Sequence, residues 1–370
     1  NEWLWKTKEN MQLGGYTLIS NLLSKIKKSE KFQEGSYIFK TKDVVKKFMV
    51  KLLSLLNEHF PNETILKLVI TIPERENVIV DLLKNILAEL GIRNDRLVIL
   101  GHKQSYMYYA VSQPKELWAN SVGLFEFDEM GLRYTNLTVD KRTIPYIVGA
   151  DVYDLSDIMP YSVLQEKGDV KYMFLNTANT MLHKKMVTTI YVTGKGFDQR
   201  WATDALKELC NGRRVFRGQN LFNKGAAYAA RMLTDREKTK EFIFLDDDML
   251  TSDISIRTYH NAKMHDVVLA KAGTLWSDID ESIDIIPDNE DEIQITDKNV
   301  LTRETRAHIL SLSGFAVRDN KTTRFTVRIR FADQYTCIVT LKDNGFGEFY
   351  PSTNRIWERY IKINGADSKN

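Results

Sequence analysis

Residues 189–198 read Thr-Ile-Tyr-Val-Thr-Gly-Lys-Gly-Phe-Asp, an amphipathic stretch runs from Arg200 to Leu209, and residues 223–233 read Asn-Lys-Gly-Ala-Ala-Tyr-Ala-Ala-Arg-Met-Leu. The β-branched and aromatic run predicts a strand, the two glycines a turn, and the apolar periodicity beyond them two helices. Gly194-Lys195-Gly196 sits where a strand hands the chain to a helix. Glycine at such a place permits positive φ and lets a ligand approach the backbone. The same turn serves equally to position two packed elements. Gly225, Ala226, Ala227, Ala229 and Ala230 give the second helix a face of small residues, against which another helix or strand can pack closely.

Working outward, Leu68–Pro73 is an apolar strand ending in proline, and Asn77–Leu90 is a helix ended by Gly91. Arg96–Leu100 is a second strand leading into Gly101-His102-Lys103-Gln104-Ser105-Tyr106-Met107-Tyr108-Tyr109-Ala110. Val122–Phe127 and Leu132–Val139 have the alternation of a hairpin. Further upstream, residues 16–28 and 43–57 carry apolar side chains at helical spacing, with Thr41 or Lys42-Asp43 as candidate caps of the second helix. Lys25, Lys27, Lys28 and Lys31 form a basic helix end suited to the helix dipole, or a patch for phosphate or a membrane surface.

In this order the segments resemble the actin, sugar-kinase and heat-shock chaperone ATPase superfamily, its chaperone branch in particular, over roughly residues 60–300. Residues 189–230 are similar to its adenosine motif and following contact helix. The resemblance implies an α/β actin-like ATPase (ribonuclease-H-like) domain over residues 1–240, N-terminally incomplete and lacking the N-terminal phosphate loop. Residues 146–188, with Asp151, Asp154 and Asp157, would be part of a helical subdomain. Residues 241–253, with Phe242-Ile243-Phe244-Leu245-Asp246, look like the chaperone linker, and residues 254–363 like a mostly antiparallel β-sandwich that holds a peptide. The chain opens on Asn1 with Trp3 and Trp5 close behind, so an upstream portion is expected. Period-two alternation over 325–331 independently predicts a half-exposed strand with Arg328 and Arg330 facing water, and Asp343-Asn344-Gly345 a turn.

Composition narrows the function classes. The chain has 370 residues, enough for roughly two or three domains. Its net charge of +3 supplies no global field for nucleic acid. No apolar run is long enough to span a bilayer, and no signal peptide is recognised. Two cysteines, Cys210 and Cys337, lie far apart, which fits structural thiols in a reducing cytoplasm. Cys210 precedes Asn211-Gly212 with no histidine nearby in sequence, so a Cys/His nucleophile is not supported. The histidines, His260 and His265 included, lack metal-ligand spacing.

An ATPase of this superfamily cradles phosphates in glycine-rich turns whose N–H groups converge on oxygen anions. At the second such turn, after Leu124-Phe125, this chain has Glu126-Phe127-Asp128-Glu129-Met130-Gly131, where the family has Asp followed by a glycine-rich run. One carboxylate about 4 Å from a phosphate charge costs roughly 4 kcal/mol at an effective dielectric of about 20. Two of them oppose triphosphate binding unless a metal bridges them, a role open to Glu126. The catalytic carboxylate position falls nearest His102, a candidate base or a plain helix-start residue. Tyr106, Tyr108 and Tyr109 stand where small residues would permit close packing. Gly194, Lys195 and Gly196 are the nucleotide-binding candidates, with Arg213 stacking or pairing nearby.

The resemblance therefore implies a degenerate, non-hydrolysing scaffold with weak or absent nucleotide binding. Its partner would be a protein or peptide held by the C-terminal β-domain through strand addition or an apolar groove, with Leu275-Trp276, Phe346, Phe349 and Tyr350 as candidate contacts or core aromatics. An alternative is an active ATP hydrolase binding ATP with magnesium. A third comes from another class: Phe242-Ile243-Phe244-Leu245-Asp246-Asp247-Asp248 looks like the strand and metal-binding Asp-x-Asp of nucleotide-sugar glycosyltransferases, with Asp246 and Asp248 holding a divalent metal against a diphosphate.

Overall fold

The computed structural model describes residues 19–165, 169–260, 263–289, 291–312, 314–315 and 318–363. Trp3, Trp5 and the start of the predicted first helix at Tyr16 lie outside them. The chain forms an α/β N-terminal region with mixed sheets, followed by a C-terminal domain of antiparallel sheets. It divides into two compact units. One takes the residues up to Lys115 with Arg217–Thr239, the other Glu116–Phe216 with the chain from Lys240 onward.

The first unit begins with α1 (Leu22–Lys28), the antiparallel hairpin of β1 (Lys31–Glu34) and β2 (Tyr37–Lys40), and α2 (Thr41–His59). It continues through β3 (Leu68–Ile72), α3 (Asn77–Glu89), β4 (Leu97–Gly101) and α4 (His102–Val111). β3 and β4 pair in parallel, Leu68 opposite Leu97 and Ile72 opposite Gly101. The spacing of Ile79, Val80, Leu83, Ile86 and Leu87 puts one stripe of α3 into a core with Ile26, Val45, Met49, Ile72 and Ile99. Thr41 is the first residue of α2 rather than its side-chain cap; its hydroxyl donates to the Ser29 carbonyl at 2.7 Å. The lysine cluster is partly neutralised locally, Lys25 by Glu34 and Lys27 by Glu76.

The second unit holds β5 (Ser121–Asp128), β6 (Gly131–Asp140), β7 (Tyr146–Asp154), α5 (Val170–Leu182), β8 (Val187–Thr193), α6 (Arg200–Leu209) and β9 (Arg214–Arg217). After α7 (Leu221–Thr234) and α8 (Arg236–Thr239), which belong to the first unit, β10 (Phe242–Leu245) rejoins it. The sheet runs β10-β7-β6-β5-β8-β9. β5, β6 and β7 form an antiparallel meander, β8 lies parallel to β5, and β10 parallel to β7.

Two expectations are corrected here. Residues 146–154 are a strand, so among the described residues the helical part of 146–188 is α5 and a short 3-10 turn at Tyr161–Leu164. β10 pairs with β7 only as far as Gly149, which leaves residues 151–154 on an open edge with their side chains in water. That explains acidic residues in a strand. Residues 242–245 are likewise not free linker. Phe242 and Phe244 are buried, and Phe242 packs edge-on against Trp118 and Tyr146 with ring centres 5.9 and 5.8 Å apart.

The C-terminal domain consists of β11 (Ser252–His260), β12 (Lys263–Ala270), β13 (Asp280–Ile285), β14 (Glu292–Asn299), β15 (Thr305–Ser311), β16 (Phe325–Asp333), β17 (Thr336–Asp343) and β18 (Ile356–Lys362). They form two four-stranded antiparallel sheets, β12-β11-β14-β15 and β13-β16-β17-β18. Ile254, Ile256, Ile293 and Ile295 of the first share one core with Val327, Ile329, Val339 and Leu341 of the second. In β16 the odd-numbered residues 325–331 are buried, while Arg328 is exposed and Arg330 half-buried, as alternation predicts.

Candidate functional site

The candidate site lies where β5 and β8 end side by side, with Glu126 opposite Thr193. Beyond β5 the chain turns through Asp128, Glu129 and Met130 into Gly131. The Asp128 carboxylate accepts the Met130 N–H at 2.9 Å and closes the turn. Burial pushes the Asp128 carboxyl above its ordinary range, and the charge of Glu126 adds to that rise against the lowering effect of the Met130 N–H. Glu126 is mostly buried and pairs with Arg133 at 3.1 Å, so its charge is already compensated within the hairpin. Glu129 is exposed and lies 3.8 Å from the Lys195 ammonium of the neighbouring turn. The two turns that the sequence singles out are thus brought together, and what joins them at the surface is an ion pair.

The glycines of the second turn answer to Phe127. Gly194 has φ 103°, and a Cβ there would lie 2.7 Å from the Phe127 carbonyl carbon and 2.9 Å from its nitrogen. A Cβ on Gly196 would lie 2.6 Å from Cγ of the Phe127 ring. That ring is fully buried against Tyr161, Phe197 and Trp201. The space opened by the missing side chains is therefore filled by the chain itself. Gly194→Ala is expected to cost about 2 kcal/mol, from strain at positive φ plus overlap with β5, relieved in part because a surface turn can shift. Urea denaturation of the full chain measures this; an unchanged midpoint would mean that the contact with Phe127 does not constrain residue 194.

Arg213 does not join this site. It lines an open cleft of about 480 Å³ with Glu116, Asn120, Thr188, Cys210, Gly212 and Arg214. Thr188 is the second residue of β8, whereas Gly194 follows its last residue. Six residue steps along the strand separate them, roughly 20 Å of extended chain. The sequence places Arg213 soon after Gly194, but α6 carries the chain back to the opposite end of the sheet. His102 lies in the first unit, where its ring stacks on Phe222 at 3.9 Å and its N–H donates to the Pro73 carbonyl at 3.3 Å. This is a helix-start packing role.

Asp246 and Asp248 follow β10. The Asp246 carboxylate accepts the Asp247 N–H at 2.9 Å, its carbonyl accepts the Met249 N–H at 3.0 Å, and the Asp248 carbonyl accepts the Trp276 N–H at 3.2 Å. A small cavity of about 210 Å³ is lined by Asp246, Asp247, Met249, Thr251, Gln334 and Tyr335, so Asp248 does not share it. Among the described residues no group of three or more His, Cys, Asp or Glu side chains is arranged to hold a metal ion. Cys210 is exposed, and burial pushes the Cys337 thiol up to about 12.

The chain belongs to the family of unknown function DUF5716, C-terminal part. That family's model matches residues 2–247. Residues 249–363 match a domain of unknown function, DUF8552. The junction between the two falls in the turn after β10, where the antiparallel domain begins. No curated protein matches the chain.

One constellation had no counterpart in the sequence reading. Asp343 is an expected turn residue, yet its side chain is buried under Arg318. Twenty-five residues separate the two, and only the fold brings them together.

Proposed function

We propose that residues 1–240 are a degenerate actin-like ATPase domain of ribonuclease-H-like type that no longer turns over ATP, and that the protein acts as a scaffold binding a protein or peptide partner through a C-terminal β-sandwich. The observation that carries this reading is the acidic turn at Asp128-Glu129, bridged to Lys195 where the superfamily would receive phosphates. Its two carboxylates oppose a triphosphate by roughly 4 kcal/mol each at about 4 Å, more than a hydrogen bond returns. The strand order supports the fold assignment. A meander β5-β6-β7 is extended on β5 by a parallel strand through a crossover helix, followed by a glycine turn and a further helix. The hairpin of β5 with β6 and the glycine turn with its following helix are the parts that the resemblance implies; β7 is not.

The partner-binding part of the proposal draws on the C-terminal domain's outer faces. On β12-β11-β14-β15, Tyr259, Met264, Val268 and Ile309 are exposed, 44–68% of each reaching water. On β13-β16-β17-β18 the outer face is tied by Asp280 with Arg328 and by Arg330 with Glu358. Exposed apolar side chains on a face that also carries the Arg257–Asp266 ion pair suit contact with a polypeptide.

Calorimetric titration of the full chain with ATP and magnesium tests the nucleotide side. No heat is expected from a protein shown to be folded. Magnesium-dependent binding in the micromolar range, lost in Gly194→Glu, would sink the proposal and favour an active ATPase.

A further inference from the structure

The cleft beside Arg213 lies wholly within the second unit, at the end of the sheet opposite Gly194, and has no part in the reading proposed above. Its volume falls in the range of small-molecule sites, roughly 300–1,000 Å³. No aromatic residue lines it, and no long aliphatic one, so a nucleobase or an acyl chain finds no face there. Its walls are Arg213, Arg214, Thr188, Asn120 and Glu116, with Cys210 beside them. Together these offer two guanidiniums, a hydroxyl and an amide as donors, and one carboxylate as an acceptor.

The fold brings these groups together from three stretches of chain. The pairing of β5 with β8 slips between Ser121 and Val122, so Thr188 is the extra residue of a bulge. Bulges re-aim a side chain and recur beside functional sites. Thr188 and Arg213 are both half-buried. The Arg213 N–H donates to the Cys210 carbonyl at 3.3 Å, which folds the chain back after α6 and sets Arg213 and Arg214 at one place. Arg214 Nη1 donates to the Glu116 carbonyl at 3.4 Å and ties that place to the facing wall. The wall is held in turn. Trp118 is buried, its ring edge-on to Tyr146 and Phe242, and the Lys141 ammonium donates to the Trp118 and Ala119 carbonyls at 3.2 and 2.8 Å, just before Asn120. The helix dipole of α6 does not account for the arginines, because Lys207 already stands in its last turn.

We infer that this cleft binds a small phosphomonoester that carries an amine. Two guanidiniums match the double negative charge of a phosphate monoester. The two forks, the hydroxyl and the amide are more donors than the two oxygens of one carboxylate can use, whereas a terminal phosphate presents three oxygens. Glu116 opposes a longer phosphate chain such as that of ATP, and it seats the ammonium at the other end of the ligand. Two positive charges and one negative in the cleft thus meet two negative and one positive in the ligand. A lipid headgroup of the same make-up is a phosphodiester with a single negative charge and leaves one guanidinium unmatched.

Calorimetric titration of the full chain with O-phosphoethanolamine, in the absence of magnesium, tests this. Saturable binding with a Kd below about 1 mM is expected. Glycerophosphoethanolamine, the diester that stands for a lipid headgroup, should bind about tenfold more weakly for want of the second charge. Arg213→Ala with Arg214→Ala should abolish binding and leave the thermal melt unchanged. Glu116→Gln should weaken O-phosphoethanolamine by about tenfold and leave inorganic phosphate no weaker. Cys210 is exposed and reports the place: saturating O-phosphoethanolamine should slow its alkylation by iodoacetamide, and potassium chloride of equal ionic strength should not. Neither heat nor protection of Cys210 overturns the inference. So does binding that the double arginine variant retains, which places the ligand elsewhere, or a diester bound as tightly as the monoester. Glu116→Gln without effect on O-phosphoethanolamine overturns the assignment of the amine.

Discussion

Asp343→Ala should lower the stability of the C-terminal domain by about 3–5 kcal/mol, the usual cost of leaving one half of a buried ion pair uncompensated. Asp343 is 1% exposed and Arg318 9%. The guanidinium grips the carboxylate with two parallel bonds, Nη1 to Oδ1 at 2.9 Å and Nη2 to Oδ2 at 2.8 Å, and Nη2 also reaches the Pro351 carbonyl at 2.8 Å. The same carboxylate accepts the Gly345 N–H at 2.8 Å and both the N–H and hydroxyl of Thr353 at 3.1 and 2.6 Å. Three separate stretches of chain are therefore tied to one side chain at the end of β17. Urea denaturation of Asp343→Ala measures the loss. Replacing both partners by apolar residues, Arg318→Met with Asp343→Leu, should recover most of it, because no buried charge is then left alone. A double variant as unstable as the single one would mean that the bonds to Gly345 and Thr353 carry the effect.

The same site has a pH signature. Burial by itself would raise the Asp343 carboxyl, but the bonds from Arg318, Thr353 and Gly345 outweigh it and hold the group far below the ordinary carboxylate range. A depressed folded-state pKa means stability that is fully present above the unfolded value, about 3.9, and lost as pH falls from there towards the folded value. The gap in stability between the native chain and Asp343→Asn should thus be constant from neutral pH down to about pH 5 and shrink below about pH 4. A gap that stays constant into that acidic range would show that the charge on Asp343 contributes nothing.

Gly225→Ala is the second large effect, at about 3 kcal/mol. A Cβ at Gly225 would overlap the Ser105 carbonyl oxygen and lie 2.7 Å from its carbon. Both belong to backbone, α7 against α4, so no side chain can swing aside. Alanine gains about 1 kcal/mol over glycine in helix propensity, and the overlap exceeds that gain because two helices must separate to relieve it. Thermal denaturation of the full chain reads the result. A variant as stable as the native chain, or more so, would mean that α4 and α7 have slack at their crossing.

Much of the local structure is legible in the residues. The alternation of 325–331 is sufficient for β16 and its outward arginines, the spacing of residues 79–87 for α3, and the small-residue face of 223–233 for a helix in tight contact. These patterns repeat with the period of the element that carries them, so a short window holds the whole signal. Gly194-Lys195-Gly196 is legible as a turn for the same reason. Whether it serves a ligand or a packed neighbour is not, because Phe127 lies some seventy residues away and meets the turn only through the pairing of β5 with β8.

The sequence by itself determined elements whose period is strong, such as α3, α7 and β16, and the acidic character of the turn at 128–129, but not the strands at 146–154 and 242–245. The tertiary structure decided where those elements meet. It set Arg213 at the far end of the sheet from Gly194, drew residues 242–245 into an edge strand, and buried Asp343 beneath Arg318. Local periodicity encodes which face of an element is apolar. Strand order, register and ion pairing depend on residues far apart along the chain, and those relations are made only when the apolar faces are buried against one another.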